Sequence, residues 1–364
     1  MTDIRTLAIE PDPDFYRLET ALRRQGEPDR VPFFELFSNI QDDVLKRLGK
    51  YDARLDRDDL PEADLADIRL QQHIEYQLSL GYDYINVGTR TVHFPQKERP
   101  HTETDQGERS YQTAEMATIT GREDFDNYPW PDPAAADYTP WRRAAELIPD
   151  GMKVITLGPG GVLENTMWLL GYQGISYLLM DDEPLVRDVF DAVGSRLVDY
   201  FGRVAALDVV GAVNLGDDMG FKTQTMLSPA MMREYVFPWH RKIVEAIHAH
   251  GKPAIIHTCG NLEAVMDDLI DCGWEAKHSF EDVIEPVWEV KKKYGDRIAL
   301  LGGFDMDKIS RFSDEKIREH VRFLIGECAP GGGWALGTGN SVANYVPTDS
   351  LLTMVEEGFL RGRS

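Results

Sequence analysis

The chain has 364 residues, 42% hydrophobic and 28% charged, an ordinary globular composition with ample material for a core. Its 39 basic against 62 acidic side chains give a formal charge of −23, which argues against sequence-independent nucleic-acid binding, because that needs a basic footprint. Its apolar runs are strand-length rather than membrane-spanning, and Met1-Thr2-Asp3-Ile4-Arg5 lacks the basic and apolar regions of a secretory signal, so a cytoplasmic location is expected.

Residues 1–30 read as an N-terminal helical extension, with a helix over 14–24 ahead of the first strand. Eight β-rich runs follow, at 31–36, 84–87, 153–157, 212–215, 254–257, 276–280, 298–301 and 334–337. Helix-like stretches with apolar residues at three- and four-residue spacing separate most of them, most clearly over 178–201, 231–250, 262–272 and 315–328. Ser228-Pro229 reads as a helix start, and Gly251 and Gly273 as helix stops. Residues 100–135 interrupt the alternation and read as an insertion, with a β-hairpin over 107–121 and a proline-rich turn at 129–133. Strand followed by helix, eight times, points to a single (β/α)8 barrel domain over 1–364 rather than an open doubly wound sheet.

In such a barrel the chemistry sits where the strands end, because the βα loops converge there. The successive strands end in Glu35; Gly88-Thr89-Arg90; Gly158-Pro159-Gly160-Gly161; Gly216-Asp217-Asp218; His257-Thr258-Cys259-Gly260; His278-Ser279-Phe280-Glu281; Gly302-Gly303-Phe304-Asp305; and Gly339-Asn340-Ser341. His257 and Cys259 carry the strongest signal. Residues two apart on a strand project to one side, and an imidazole beside a thiolate suits zinc. A packed histidine beside an inert buried cysteine is the alternative. Asp218, Glu281 and Glu35 are candidate catalytic carboxylates, while Gly158, Asp217 and Asn340 are candidate cofactor contacts. A helix cap with a solvated neighbour is the competing reading for the pair Asp217 and Asp218, a helix cap for Asp305, and a packed core histidine for His278. Cys272 and Cys328 fall in helical sequence and read as structural; three cysteines in all fit a reducing compartment. Phe33, Phe34, Trp168, Phe221 and Tyr345 are candidate pocket aromatics.

The order of Asp29-Arg30-Val31-Pro32, Gly216-Asp217-Asp218-Met219-Gly220, Ser228-Pro229, His257-Thr258-Cys259-Gly260-Asn261, Lys277-His278-Ser279-Phe280-Glu281-Asp282 and Leu301-Gly302-Gly303-Phe304-Asp305 resembles the uroporphyrinogen decarboxylase superfamily, and more narrowly its corrinoid-dependent methyltransferase branch. The resemblance implies a (β/α)8 barrel in which zinc, held by His257 and Cys259, assists methyl transfer between a small methylated ether, amine or thiol and the cobalt of a corrinoid carried by a partner protein. Ether O-demethylation is one such reaction. In that branch a further cysteine after the eighth strand completes the zinc site. Asn340 stands there in this sequence, leaving the third ligand open among Glu35, Asp218 and Glu281. Two other readings stay open. One is the superfamily's decarboxylase reaction in tetrapyrrole synthesis, although Leu36-Phe37-Ser38-Asn39-Ile40-Gln41 lacks the arginine that such enzymes use on substrate carboxylates. The other is a barrel that binds corrinoid or ligand without turnover.

Overall fold

The computed structural model describes residues 4–89, 91–97, 101–104, 107–110 and 117–363. Seven strands form one parallel sheet in chain order: β1 (Tyr84–Val87), β4 (Lys153–Leu157), β5 (Val210–Gly216), β6 (Ala254–His257), β7 (Ala276–His278), β8 (Ala299–Leu301) and β9 (Trp334–Ala335). Between β1 and β4 lies an antiparallel hairpin of β2 (His101–Thr104) and β3 (Gly107–Ser110). The sheet strands are Val-, Ile-, Leu- and Ala-rich and buried along nearly their whole length, as parallel strands covered on both faces must be.

The eighth position of the barrel belongs to residues 31–36, which do not form a ladder strand. On one side Phe33 bridges Leu336 in parallel, with Phe34 N–H donating to Leu336 O at 2.9 Å and Leu336 N–H to Pro32 O at 2.9 Å. On the other side, side chains of β1 replace the ladder. The Tyr84 hydroxyl donates to Glu35 O (2.8 Å) and accepts from Glu35 N–H (2.7 Å), and Asn86 Nδ2 donates to Leu36 O at 2.7 Å. The chain folds as a (β/α)8 barrel closed on this flank by side chains.

Helices surround the sheet. Residues Glu183–Ala205 bury Val186, Val189, Phe190, Val193, Leu197 and Phe201 as one apolar stripe. This helix starts later than the periodicity predicts. Asp182 accepts from Leu185 N–H and Pro184 stands in the first turn, so a separate helix, Tyr172–Asp181, precedes it. Ser228 caps a helix start as expected, accepting from Met231 N–H at 3.3 Å, and a π-turn at Met232–Val236 leads into Phe237–His248. Gly251 and Gly273 end their helices with φ of +70° and +97°. The hairpin lies earlier than expected, and part of its predicted span, 111–116, falls outside the described residues.

The N-terminal helix Phe15–Leu22, capped by Asp14, packs against β5, β8 and β9. Near it the buried Asp83 receives Arg17 Nη1 at 2.6 Å and Arg30 Nη2 at 3.0 Å. Among the described residues no helix is long and apolar enough to cross a membrane.

Candidate metal centre

Parallel pairing of β5 with β6 places Gly216 opposite His257, so the loops leaving these strands run side by side. Asp217 N–H donates to His257 O at 2.9 Å, and Gly220 N–H to Cys259 O at 3.1 Å. The loops touch backbone to backbone at Gly260. Its φ is +90°, and a Cβ there would lie 2.1 Å from the Gly220 carbonyl carbon, so only glycine fits. This contact brings Asp218 over the end of β6, where its Oδ1 accepts from Cys259 N–H at 2.8 Å.

The result is a cluster of three donor groups. One ligand atom each from Asp218, His257 and Cys259 lies within 4.8 Å of the others. His257 Nε2 is 3.6 Å from Cys259 Sγ and 3.8 Å from Asp218 Oδ1. Among the described residues no other group of three or more His, Cys, Asp or Glu side chains gathers in this way.

The hydrogen-bond network sets the direction of the His257 lone pair. His278 Nε2 lies 3.2 Å from the Thr338 carbonyl oxygen, which can only accept, so Nε2 carries the hydrogen. Burial lowers the pKa of both rings, His257 to about 4, so near neutral pH each has one N–H and one lone pair. His278 Nδ1 is therefore an acceptor, and His257 Nδ1, 2.8 Å away, donates to it. His257 Nε2 is left unprotonated and faces Asp218 and Cys259. A second partner that fixes the tautomer of a ligating histidine in this way is a common feature of metal sites.

Burial, and then the charge of Asp218, push the Cys259 thiol up to about 12. Ser279 Oγ lies 3.4 Å from its sulfur, and Asn340 Nδ2 donates to the same sulfur at 3.5 Å. Asn340 thus sits at the cluster with its amide nitrogen toward the sulfur, and its Oδ1 accepts from Ser341 N–H at 2.7 Å.

The other carboxylates named from sequence fall elsewhere. Glu35 is buried in the barrel, bonded to Thr338 rather than placed in the cluster, and burial raises its carboxyl to about 8. Glu281 lines two cavities beside the site and is not one of the three clustered donors. Asp217 is fully buried and caps the helix Val162–Leu170, in place of the expected cofactor contact. It accepts from Val162, Leu163 and Glu164 N–H at 2.9–3.1 Å and pairs with His240 Nε2 at 2.8 Å. Gly161 makes that approach possible, since a Cβ there would lie 2.1 Å from the Asp217 side chain. Gly158, also expected at a cofactor, has a packing role: its missing Cβ makes room for the Phe201 ring, which would be 2.3 Å away. Among the aromatics, Phe33 and Phe34 are core, while Phe221 and Tyr345 are exposed. Asp305 caps the helix Met306–Arg311. Arg90 lies outside the described residues.

Sequence reading missed three residues that matter here. Thr338 supplies the carbonyl that orients His278. Lys277, buried on β7, donates from Nζ to the Thr258 and Ser279 carbonyls at 3.4 and 2.5 Å, bracing the two loops that meet at Cys259. Glu164 follows Gly160-Gly161 in the first turn of a helix; burial first, then Asp217 and Asp218, raise its carboxyl to about 8. A glutamate three residues past a glycine-rich strand end was the only sequence signal for the last of these.

Comparison with known proteins agrees with this fold. A solved methyltransferase from Methanosarcina mazei superposes with a TM-score of 0.69 at 16% identity, covering 94% of this chain and 97% of that one, a likeness of fold. Methylcobamide:CoM methyltransferase MtaA of Methanosarcina barkeri is 25% identical over 131 residues, so the match spans 36% of this chain and 36% of that curated relative's length. The Uroporphyrinogen decarboxylase (URO-D) family matches residues 118–358, a stretch that holds Asp218, His257, Cys259, His278 and Asn340. The chain belongs to the uroporphyrinogen decarboxylase family.

Proposed function

We propose that this protein is a metal-assisted methyltransferase, which moves a methyl group between a small methylated ether, amine or thiol and the cobalt of a corrinoid carried by a partner protein. The observation that carries the reading is the Asp218–His257–Cys259 cluster at the mouth of a (β/α)8 barrel. Three protein ligands of N, S and O type with a position left open is the pattern of catalytic rather than structural zinc. The fit is chemical as well as spatial. The charge of Asp218 raises the cost of ionising Cys259, and the His257 lone pair faces both, so a divalent cation satisfies all three at once. Asp218 takes the place left by the missing cysteine at Asn340, whose amide donates to sulfur instead of competing for the ion.

When bound there, zinc supplies Lewis acidity toward the heteroatom that carries the methyl group, and one thiolate ligand rather than two leaves that acidity stronger. The protein's own groups do the rest. His278 holds the His257 ring in one tautomer, Ser279 and Asn340 hold the sulfur of Cys259, and Lys277 fixes the loops on either side. The partial match to a methylcobamide:CoM methyltransferase supports the corrinoid half of the reading.

The test is methylation of a Co(I) corrinoid, followed by its absorbance change, across a panel of methyl ethers, amines and thiols with zinc-loaded protein. Methyl-cobalt formation that requires zinc is expected. Full activity of the metal-free protein would overturn the metal-assisted reading, and turnover of a porphyrinogen with no corrinoid methylation would overturn methyl transfer in favour of decarboxylation. Binding of substrate or corrinoid with no transfer would point to a non-catalytic barrel.

A further inference from the structure

We propose that Glu35 is a neutral carboxylic acid that positions both arms of the metal centre through Thr338, and is neither a base nor a ligand. The inference comes from counting hydrogens. Thr338 N–H donates to Glu35 Oε1 at 2.7 Å, so that oxygen accepts. Thr338 Oγ1 makes two further short contacts, to Glu35 Oε2 at 2.5 Å and to the carbonyl oxygen of Asn340. A hydroxyl carries one hydrogen, and a carbonyl can only accept. The Oγ1 hydrogen therefore goes to Asn340, and the contact with Oε2 needs a hydrogen from the carboxyl. One proton on Oε2 satisfies every partner. An ionised Glu35 would leave one threonine hydrogen between two acceptors in a fully buried site.

Burial acts in the same direction, holding the Glu35 proton to about pH 8. Among the described residues no lysine or arginine pairs with this carboxyl to oppose it.

The consequence reaches both sides of the cluster. Through the Thr338 hydroxyl, Glu35 fixes the backbone of Asn340, whose Nδ2 sits on Cys259 Sγ. Through the Thr338 N–H, it holds the residue whose carbonyl orients His278, and so the His257 lone pair. Glu35 and Thr338 are positioning residues, and the effect expected of them on metal binding rests on the function proposed above.

Two measurements test this on the full chain. The infrared difference spectrum of wild type minus Glu35→Gln at neutral pH should show a protonated-carboxyl C=O band, shifted by 13C-glutamate labelling, while the band of the raised Glu164 carboxyl is common to both and cancels. Zinc alone, titrated against a chromogenic chelator, should bind Glu35→Gln as tightly as wild type. A glutamine reproduces the neutral acid, with Nε2 donating to Thr338 Oγ1 and Oε1 accepting from Thr338 N–H. Glu35→Leu, which offers neither, should weaken zinc about 10–100-fold, the usual cost of losing an outer partner. Absence of that difference band, or a Glu35→Gln loss of zinc affinity as large as that of Glu35→Leu, overturns the proposal. Should Glu35→Leu fail to fold, the band and Glu35→Gln still decide it. A wild type that binds no zinc contradicts the metal reading, while the band alone then decides where the proton lies.

Discussion

The two ends of the barrel hold similar residues in opposite circumstances. At the N-terminal end Asp83 is buried between Arg17 and Arg30, and Arg17 also binds Asp29 at 2.6 Å. Each charge there has a partner from another segment, and the group ties the N-terminal helix, the 31–36 segment and β1 together. At the C-terminal end Asp218 and Cys259 lie beside an unprotonated imidazole nitrogen. Among the described residues no lysine or arginine forms an ion pair with Asp218, and the nearby Lys277 donates to backbone carbonyls. Charge compensated from within stabilises the fold; donors gathered without a cation mark where an ion belongs.

Substitutions should separate the two ends cleanly. Asp218→Ala, His257→Ala and Cys259→Ala should each lose zinc and reduce methyl transfer by more than the roughly 100-fold that an outer partner costs. The metal-free stability of Asp218→Ala and Cys259→Ala, read by urea unfolding, should move by no more than about 1 kcal/mol. Asp83→Ala should behave in the opposite way. Arg17 keeps Asp29, but Arg30 is left buried without an ion-pair partner, which costs about 3–5 kcal/mol, while zinc bound per folded chain stays unchanged. If it also lost zinc, the two ends would be coupled and the distinction between them wrong.

Asp217→Ala tests whether neighbours in sequence divide the same way. Three helix N–H groups and His240 would lose their acceptor, for about 2–3 kcal/mol in unfolding free energy. Zinc should remain, in contrast to Asp218→Ala one residue on. A further effect concerns pH. Burial raises Glu35 from 4.5 to about 8, so the folded chain keeps a proton that the unfolded chain releases. The stability this contributes is complete below pH 4.5 and is lost as pH rises through 8. Wild type should lose stability relative to Glu35→Gln across that window, by at most about 1.4 kcal/mol per unit. Parallel pH profiles for the two proteins would contradict it.

The barrel was legible because its strands are apolar runs bounded by glycine and ionisable residues, a local signal. Strand 31–36 was legible as a segment but not as a bridge, because its closure depends on Tyr84 and Asn86, some 50 residues away. His257, Cys259 and Asp218 could be named from their places at strand ends. What separated Asp218 from Asp217 could not, since it depends on which carboxylate Gly161 admits to a helix end and which one the Gly220–Gly260 crossing carries over β6. Glu35 looked catalytic as a carboxylate at a strand end; only the hydrogens around Thr338 give it another role. Thr338 itself carries no signal in sequence, because its carbonyl rather than its side chain orients His278.

The most direct test is the zinc content of the purified chain after saturation with zinc and exhaustive dialysis, beside that of Asp218→Ala. One zinc per wild-type chain and essentially none in the variant is the result expected if Asp218, His257 and Cys259 form the metal centre. Equal zinc in both, or none in wild type, would contradict it.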